Sequence, residues 1–256
     1  MHNFQPNTLF VGKNFIYLPT CHSTNDIAAQ KIQQGDDFEG TVILTSHQTA
    51  GRGQRGNTWE TEADANLTFS LILRPTFLRP TEQFRLNIAV SLAVYECFSP
   101  FLEESLRIKW PNDIYVGNRK MGGILIENLL QSNAIGYSII GIGLNINQLE
   151  FQTPTATSLR RETGQPFRYE LEPLLNTLLI SLEKNYLQLK NSSFDSLKVK
   201  YLSILFRYQE YHYFRRNGKV FLGQIVGIDE MGRLAVETDG YLEYFDLKEI
   251  EFVIEA

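Results

Sequence analysis

The sequence lacks a hydrophobic run long enough to cross a membrane, and it lacks a cysteine framework. No apolar stretch approaches the roughly 18 residues that a transmembrane helix needs, and only Cys21 and Cys97 occur among 256 residues. Residues 1–6 show neither the basic nor the apolar region of a secretory signal. These absences argue against a membrane protein or a disulfide scaffold, and they predict a cytoplasmic protein.

An excess of basic residues is also absent. Lys and Arg number 24 against 29 Asp and Glu, and the sequence pI is near 5.5, which is not typical of a general nucleic-acid binder. The four histidines, His2, His22, His47 and His212, lack the spacing of metal ligands. No Ser-His-Asp or Cys-His constellation is evident, so the sequence predicts no protein nucleophile and no metal-ligating side chains.

The hydrophobic pattern predicts helices and strands mixed along the chain. Strands are expected over residues 41–46, 67–73, 106–110 and 134–142, and helices over residues 23–34, from 81 onward, and over about 170–190 and 194–205. Ser23 and Asp26 have the spacing of a capping box, and Thr81 is expected to cap the second helix.

The last fifty or so residues show a different predicted secondary structure. From Tyr208 onward, short strands are separated by turns at Asn217-Gly218, at residues 229–232 and at Asp239-Gly240. This spacing predicts a small all-β barrel that packs against the rest of the chain, because so small a unit has little core of its own. We place the boundary near residues 205–209, giving domains of residues 1–207 and 208–256.

A glycine- and arginine-rich segment follows the first predicted strand. It contains Gly51, Arg52, Gly53, Arg55 and Gly56. The glycines match G-x-G-x-x-G, but a dinucleotide-binding loop opens a helix and the residues after Gly56 form no amphipathic pattern. The planar guanidinium of arginine binds phosphate or carboxylate through two hydrogen bonds, and glycines let backbone amides approach an anion. The segment predicts an anion-binding loop, and a solvated surface turn is the alternative.

A second segment, Lys-Trp-Pro-Asn-Asp at residues 109–113, leads into a predicted hairpin. The two-residue Gly117-Asn118 turn pairs Tyr115 with Lys120. Asp113 and Lys120 then share one face of the sheet, with about 7–8 Å between diagonal neighbours. This arrangement places a cation beside a carboxylate, and a surface ion pair of little energetic value is the alternative.

Two shorter segments have small or hydrogen-bonding residues. Ser23-Thr24-Asn25 stands at a helix start, where it could bind a polar ring or only cap the helix. Residues 141–147 end an apolar strand with Gly141 and Gly143, which permit close approach of a ligand or mark a bend or bulge.

Taken in this order, the segments over residues 20–147 resemble the biotin protein ligase family, in the form without an N-terminal DNA-binding domain. The resemblance implies an α+β fold. A mixed-sheet catalytic domain with flanking helices, similar to class II aminoacyl-tRNA synthetases, precedes a small SH3-like β-barrel. The implied reaction joins biotin to ATP as biotinyl-5′-AMP, with Mg²⁺ accompanying ATP. It then transfers biotin to a lysine of a biotin carboxyl carrier protein.

The resemblance also implies residue roles. Biotin is assigned to Ser23, Thr24, Asn25, Gln48, Arg52, Gly53, Gln54, Lys120, Gly123 and Gly141. ATP and the adenylate are assigned to Arg52, Gln54, Arg55, Trp59, Asn112, Lys120 and Asn145. The catalytic residues are Lys120 and Arg52, with Asp113 assisting the acceptor lysine. Trp59 would pack against adenine.

The chain departs from the family pattern in its glycine-rich loop. Many relatives carry an arginine where this chain has Gln54 and a basic residue where it has Asn57. Neither DNA nor a membrane is an expected partner. A homodimer is possible, and the sequence does not determine the oligomeric state. Two other functions stay open: a lipoate–protein ligase, and a biotin- or nucleotide-sensing protein without turnover.

Overall fold

The computed structural model describes residues 4–36, 38–191 and 194–254, apart from the side chain of Arg55. A seven-stranded sheet occupies most of the chain. Its strands are β1 (Phe15–Cys21), β2 (Val42–Gln48), β3 (Leu67–Leu73), β4 (Leu106–Lys109), β5 (Asp113–Val116), β6 (Arg119–Gln131) and β7 (Ala134–Leu144). The spatial order is β1-β2-β3-β7-β6-β5-β4, with β1 and β2 parallel and the other pairs antiparallel.

Helices pack against this mixed sheet. They are α1 (Thr24–Gln33), α2 (Gln83–Leu102), α3 (Leu159–Thr163), α4 (Leu171–Asn191) and α5 (Phe194–Ser203). The core forms where α2 and α4 meet the sheet, because α4 buries one side, the middle of α2 is buried on all sides, and β3 buries all seven of its residues. No helix in the described ranges is long and apolar enough to cross a membrane.

The β5–β6 hairpin has the predicted turn and an unpredicted bulge. Val116 pairs with Arg119 and Tyr115 with Lys120, as the Gly117-Asn118 turn requires. The register then shifts, so that Ile114 faces Gly122. A bulge of this kind redirects nearby side chains, and here it accompanies the close approach of Lys120 to Asp113.

A second, antiparallel sheet follows. It comprises β8 (Tyr211–Arg216), β9 (Lys219–Ile228), β10 (Leu234–Thr238), β11 (Tyr241–Phe245) and β12 (Glu251–Phe252), in the order β11-β10-β9-β8-β12. The turns at Asn217-Gly218 and Asp239-Gly240 have positive φ at both residues, as two-residue hairpins of this hand require. The predicted strand-and-turn pattern of this region is confirmed.

The two sheets are joined by specific contacts. The indole Nε1 of Trp110 donates to the carbonyl of Gly232 at 2.8 Å. Gly232 has φ near +90° and lies so close to Phe84 that a Cβ there would be 2.1 Å from the ring. Arg207 Nη1 donates to the Val253 carbonyl at 2.9 Å. The second sheet and the residues next to it are therefore held against α2, the residue that follows β4 and the segment that follows α5.

Several local predictions were wrong. Ser23 is the N-cap residue of α1, but its side chain makes no cap hydrogen bond, and the Thr24 N–H at the helix start donates to Gln48 Oε1. Thr81 lies in a 3₁₀ turn, Pro80–Glu82, and the N-cap position of α2 is Glu82, whose side chain makes no cap hydrogen bond either. The sequence reasoning also missed β1 and the five-residue helix α3.

Candidate active site

A cavity of about 670 Å³ opens on one face of the seven-stranded sheet. One side is formed by strands of that sheet, by the start of α1 and by the connection between β2 and β3. The other side is formed by residues 247, 248 and 250, which precede the last strand of the second sheet, and by residues 251 and 252 of that strand. This volume is typical of a pocket for small molecules.

The β2–β3 connection is folded into a small closed loop. Arg52 and Thr58 form a bridge, the Gly53 N–H donates to the Asn57 carbonyl at 2.7 Å, and the Trp59 N–H donates to the Gly51 carbonyl at 2.9 Å. Gln54–Gly56 forms only a 3₁₀ turn, in agreement with the expectation that no long helix begins here. The loop thus places Arg52, Gly53 and Gln54 along the cavity.

The floor of the cavity is a hydrogen-bonded polar cluster. Gln48 Oε1 accepts from the N–H and the hydroxyl of Thr24, at 2.8 and 3.2 Å. Ser70 Oγ lies 2.7 Å from Thr24 Oγ1 and 2.6 Å from Asn25 Oδ1. Asn25 Nδ2 donates to Glu127 Oε2 at 2.6 Å. The orientation of both donors and acceptors at this end is therefore fixed before any ligand binds.

Two glycines of β7 make room for side chains of the cavity. A Cβ on Gly141 would lie 2.5 Å from Asn25 Oδ1, and a Cβ on Gly143 would lie 2.5 Å from the Trp59 ring. The predicted close approach is real, but in this structure it is made by Asn25 and Trp59. Any larger residue at either position would displace them.

Arg52 is held by two carboxylates. Its guanidinium donates to Asp26 at 2.6 Å and to both oxygens of Glu127 at 3.1 Å. Since Glu127 also binds Asn25, the loop arginine and the polar floor share one network. Arg52 is well placed to reach an anion in the cavity, and an anion would compete with these acids for it.

Lys120 and Asp113 form the ion pair that the hairpin predicted. Lys120 Nζ lies 2.6 Å from Asp113 Oδ1, and both side chains are partly buried. Gly123 lies beneath the pair, with its Cβ position 3.5 Å from each of these atoms. A partly buried pair is screened less by solvent than a surface pair, and here it faces the cavity.

Lys109 also faces the cavity. Its Nζ lies 5.2 Å from the ring centre of Tyr115 and 4.7 Å from that of Phe252. Burial lowers the pKa of this lysine, an effect that Asp113 opposes and that Lys120 and Arg207 reinforce. Burial also raises the pKa of Tyr115 to about 12, with a further contribution from Asp113.

Two buried polar atoms lining this cavity are without partners. Within the described chain, Trp59 Nε1 and Thr68 Oγ1 make no hydrogen bond. Thr68 is paired with Gly143 across β3 and β7, and Trp59 lies on that same glycine. A buried group without a partner is costly, so both atoms are candidates to bind a ligand here.

The structure brings almost all of the predicted site residues to this cavity. They are Ser23, Thr24, Asn25, Gln48, Arg52, Gly53, Gln54, Trp59, Asn112, Asp113, Lys120, Gly123 and Gly141. Asn145 does not line it: the residue is buried just past β7 and donates to the Thr157 carbonyl at 3.1 Å. The side chain of Arg55 lies outside the described residues.

Sequence reasoning assigned no role to several residues in or beside the cavity. Lys109 was named only within the segment at residues 109–113, and Glu127, which binds Asn25 and Arg52, was given no role. Thr68 and Ser70 carry a usable signal, since they are alternate polar residues in an apolar strand and so share one face. Residues 247–252 carried no such signal.

Comparison with known proteins agrees with this geometry. The model of the Biotin/lipoate A/B protein ligase family matches residues 17–145, half of the chain. The matched region includes α1, the glycine-rich loop, the β5–β6 hairpin and β7.

The chain belongs to this family. Among its relatives, the bifunctional ligase/repressor BirA of Bacillus spizizenii is 31% identical over 92% of this chain and 73% of its own length. The biotin–[acetyl-CoA-carboxylase] ligase of Mycobacterium tuberculosis is 30% identical over 85% of this chain and 81% of its own.

A solved structure supports membership of the biotin/lipoate ligase family at the level of the fold. The biotin protein ligase from Aquifex aeolicus, determined in complex with biotin and ATP, has a TM-score of 0.77 and 27% identity. The match covers 95% of this chain and 100% of that one. The likeness therefore extends over both sheets.

Proposed function

We propose that this enzyme is a biotin–protein ligase that uses ATP. The observation that carries the proposal is the Lys120–Asp113 pair, which shares one cavity with Arg52 and the polar floor around Asn25. Cations beside a fixed set of neutral hydrogen-bonding groups suit a ligand with an anionic end and a polar ring. Family relatives named as biotin ligases support the choice of biotin.

The reaction runs in two steps. A carboxylate oxygen of biotin attacks the α-phosphorus of ATP, and the bond from that phosphorus to the bridging oxygen breaks, so that pyrophosphate leaves with the electron pair. The Nζ of an acceptor lysine then attacks the acyl carbon, an amide forms, the amine loses a proton and AMP leaves. Neither step needs a protein nucleophile, but the first needs positive charge where anions meet.

The cavity residues divide between these tasks. Lys120 contacts the biotin carboxylate and the α-phosphate, and Arg52 approaches the same anions once it leaves Asp26 and Glu127. Thr24, Asn25 and Gln48, with Ser23, bind the ureido ring. These assignments follow the family resemblance, and the position of each of these residues on the cavity wall supports them.

Trp59 packs against adenine, with Asn112 and Gln54 nearby. Asp113 assists the incoming amine. Asn145 acts indirectly, through the Thr157 carbonyl to which it donates. Mg²⁺ would accompany ATP and would offset the charge of its phosphates, whose oxygens and bound water would supply most of its ligands. The carboxylates that line this cavity, Asp113 and Glu251, are too few to hold the ion alone.

We extend the proposal to the finer fold, the compartment and the partner. The seven-stranded sheet with its helices, residues 1–207, corresponds to a class II aminoacyl-tRNA synthetase-like domain, and residues 208–256 to an SH3-like barrel. The protein acts in the cytoplasm, where ATP is available and where its free thiols Cys21 and Cys97 stay reduced. Its partner is a biotin carboxyl carrier protein.

Pyrophosphate release tests this function. The purified enzyme is incubated with ATP and either biotin, lipoate or no acid, and then with a carrier domain whose acceptor lysine is present or replaced by arginine. We expect pyrophosphate with biotin, and transfer only to the lysine form of the carrier. Release with lipoate alone would make this a lipoate ligase, and no release with either acid would make it a sensor.

A further inference from the structure

The three cations on the wall of the first sheet are not equivalent. Arg52 is bound by Asp26 and Glu127, and Lys120 is bound by Asp113. Lys109, in the same cavity, makes neither a hydrogen bond nor an ion pair with any part of the chain that the structure describes. A buried charge without a counter-ion is costly, so Lys109 has the strongest need for an anion.

Its surroundings suit a cation. The Nζ lies close to the rings of Tyr115 and Phe252, and a ring face attracts an ammonium group. Asp113 lies opposite Lys109 in the β4–β5 pair, but its Oδ1 is taken by Lys120. The two rings stabilise the charge only partly, because burial still lowers the pKa of Lys109.

The position of Lys109 places it furthest from Arg52, with Lys120 and Asp113 between the two. Arg52 contacts Glu127 of β6, whereas Lys120 lies over Gly123 of the same strand. At the usual rise per residue, these two positions on β6 are about 13 Å apart. Lys109 is on β4, two strands across from β6, and touches the second sheet. It therefore stands at the end of the cavity away from Asn25.

We propose that Lys109 binds the β- and γ-phosphates of ATP and holds the pyrophosphate as it leaves. This inference rests on the proposed function. The carboxylate and the α-phosphate already have Lys120 and Arg52, whereas the outer phosphates carry most of the charge of ATP.

The two half-reactions separate this role from others, because biotinyl-adenylate contains no β- or γ-phosphate. Lys109→Met keeps an unbranched side chain against the rings but removes the charge, and Lys219→Met, at an exposed lysine of β9, is the matched control. We measure pyrophosphate release against ATP and against biotin, inhibition by added pyrophosphate, and single-turnover transfer from preformed biotinyl-adenylate.

We expect Lys109→Met to lower kcat/KM for ATP by about 10- to 100-fold, the range for loss of one charged donor, and to weaken pyrophosphate inhibition similarly. The KM for biotin and the transfer rate should stay within about twofold, and Lys109→Arg should recover part of the loss. Transfer slowed as much as adenylation, or unchanged pyrophosphate inhibition, would overturn the proposal.

A measurement on the unaltered protein covers the case in which Lys109→Met does not fold. Lysines are acetylated with acetic anhydride, with and without pyrophosphate, and identified by mass spectrometry. Pyrophosphate should protect Lys109 and leave Lys219 reactive, and equal acetylation of Lys109 in both samples would contradict the assignment. Wild-type enzyme that releases no pyrophosphate from biotin and ATP would instead refute the proposed function.

Discussion

The two sheets contribute to the cavity in different ways. The seven-stranded sheet and its loops supply most of the polar and charged groups, and many of these are held by hydrogen bonds that cross between β2, β3, β6 and α1. The C-terminal region supplies one edge, in which Leu247, Ile250 and Phe252 are apolar and Lys248 and Glu251 are charged. The difference indicates that the chemistry is done by the first sheet, while the second closes the cavity.

The strongest test of this division is Asp113→Asn. The change keeps the shape of the side chain but removes the charge beside Lys120. If Asp113 assists the acceptor amine, transfer should slow by about 100-fold, as is usual for loss of an acid–base group, and adenylation by less than about tenfold. Single-turnover rates of the two half-reactions decide the point. Equal slowing would mean that Asp113 only positions Lys120.

A matched pair of glycine variants distinguishes the ATP end of the cavity from the biotin end, both of which lie on the first sheet. A Cβ at Gly143 would displace Trp59, whereas a Cβ at Gly141 would displace Asn25. We expect Gly143→Ala to raise the KM for ATP and Gly141→Ala to raise the KM for biotin, each by about tenfold, equivalent to about 1.4 kcal/mol. Steady-state kinetics with each substrate varied gives the result, and each variant serves as the control for the other. A reversed pattern would exchange the two ends of the cavity.

The second sheet should respond more weakly. Phe252 packs on Lys109 and on the rings of Phe206 and Phe214. Phe252→Ala should lower the free energy of unfolding by about 2 kcal/mol, below the range for a fully buried ring, and raise the KM for ATP a few-fold. Tyr211→Ala, at an exposed tyrosine on the same sheet, should do neither, within about 0.5 kcal/mol.

Urea unfolding and ATP titration of the two variants measure this contrast. The comparison would be contradicted if Phe252→Ala lost as much activity as Asp113→Asn, because the second sheet would then take part in the chemistry.

Gln54 should matter least. A neutral amide offers the phosphate a weaker bond than an arginine would, but Arg52 and Arg55 belong to the same loop. Gln54→Arg should therefore reduce labelling of an unrelated lysine-rich protein, incubated with enzyme, biotin and ATP, by no more than about twofold. Heavy labelling by the wild type that Gln54→Arg abolishes would show that the neighbouring arginines do not compensate.

The sequence predicted the site best where the chain itself sets the geometry. The Gly117-Asn118 turn determines the pairing of Tyr115 with Lys120, so the approach of Lys120 to Asp113 followed from strand periodicity. The bulge that pairs Ile114 with Gly122 has no comparable local signal. The pattern of polar and apolar residues is compatible both with a regular hairpin and with one that contains an extra residue.

Predictions failed where contacts with distant segments determine the local arrangement. The Ser23 side chain makes no cap hydrogen bond, and the start of α1 is bound instead to β2, where the Thr24 N–H donates to Gln48. The environment of Lys109 depends on Phe252, near the other end of the chain. Such contacts form only when both sheets are folded together, and no sequence motif near Lys109 predicts them.

The most direct test of the account is the formation of biotinyl-adenylate by wild type and Lys120→Met in a single turnover with labelled biotin and ATP. The wild type should release one pyrophosphate for each biotinyl-adenylate that it forms. Thermal unfolding first checks that Lys120→Met is folded. Its rate of adenylate formation should be lower by about 100-fold or more, as is found when other donors to developing charge are removed. Equal rates in the two proteins, or no adenylate from the wild type, would contradict the claim that adenylation occurs in this cavity.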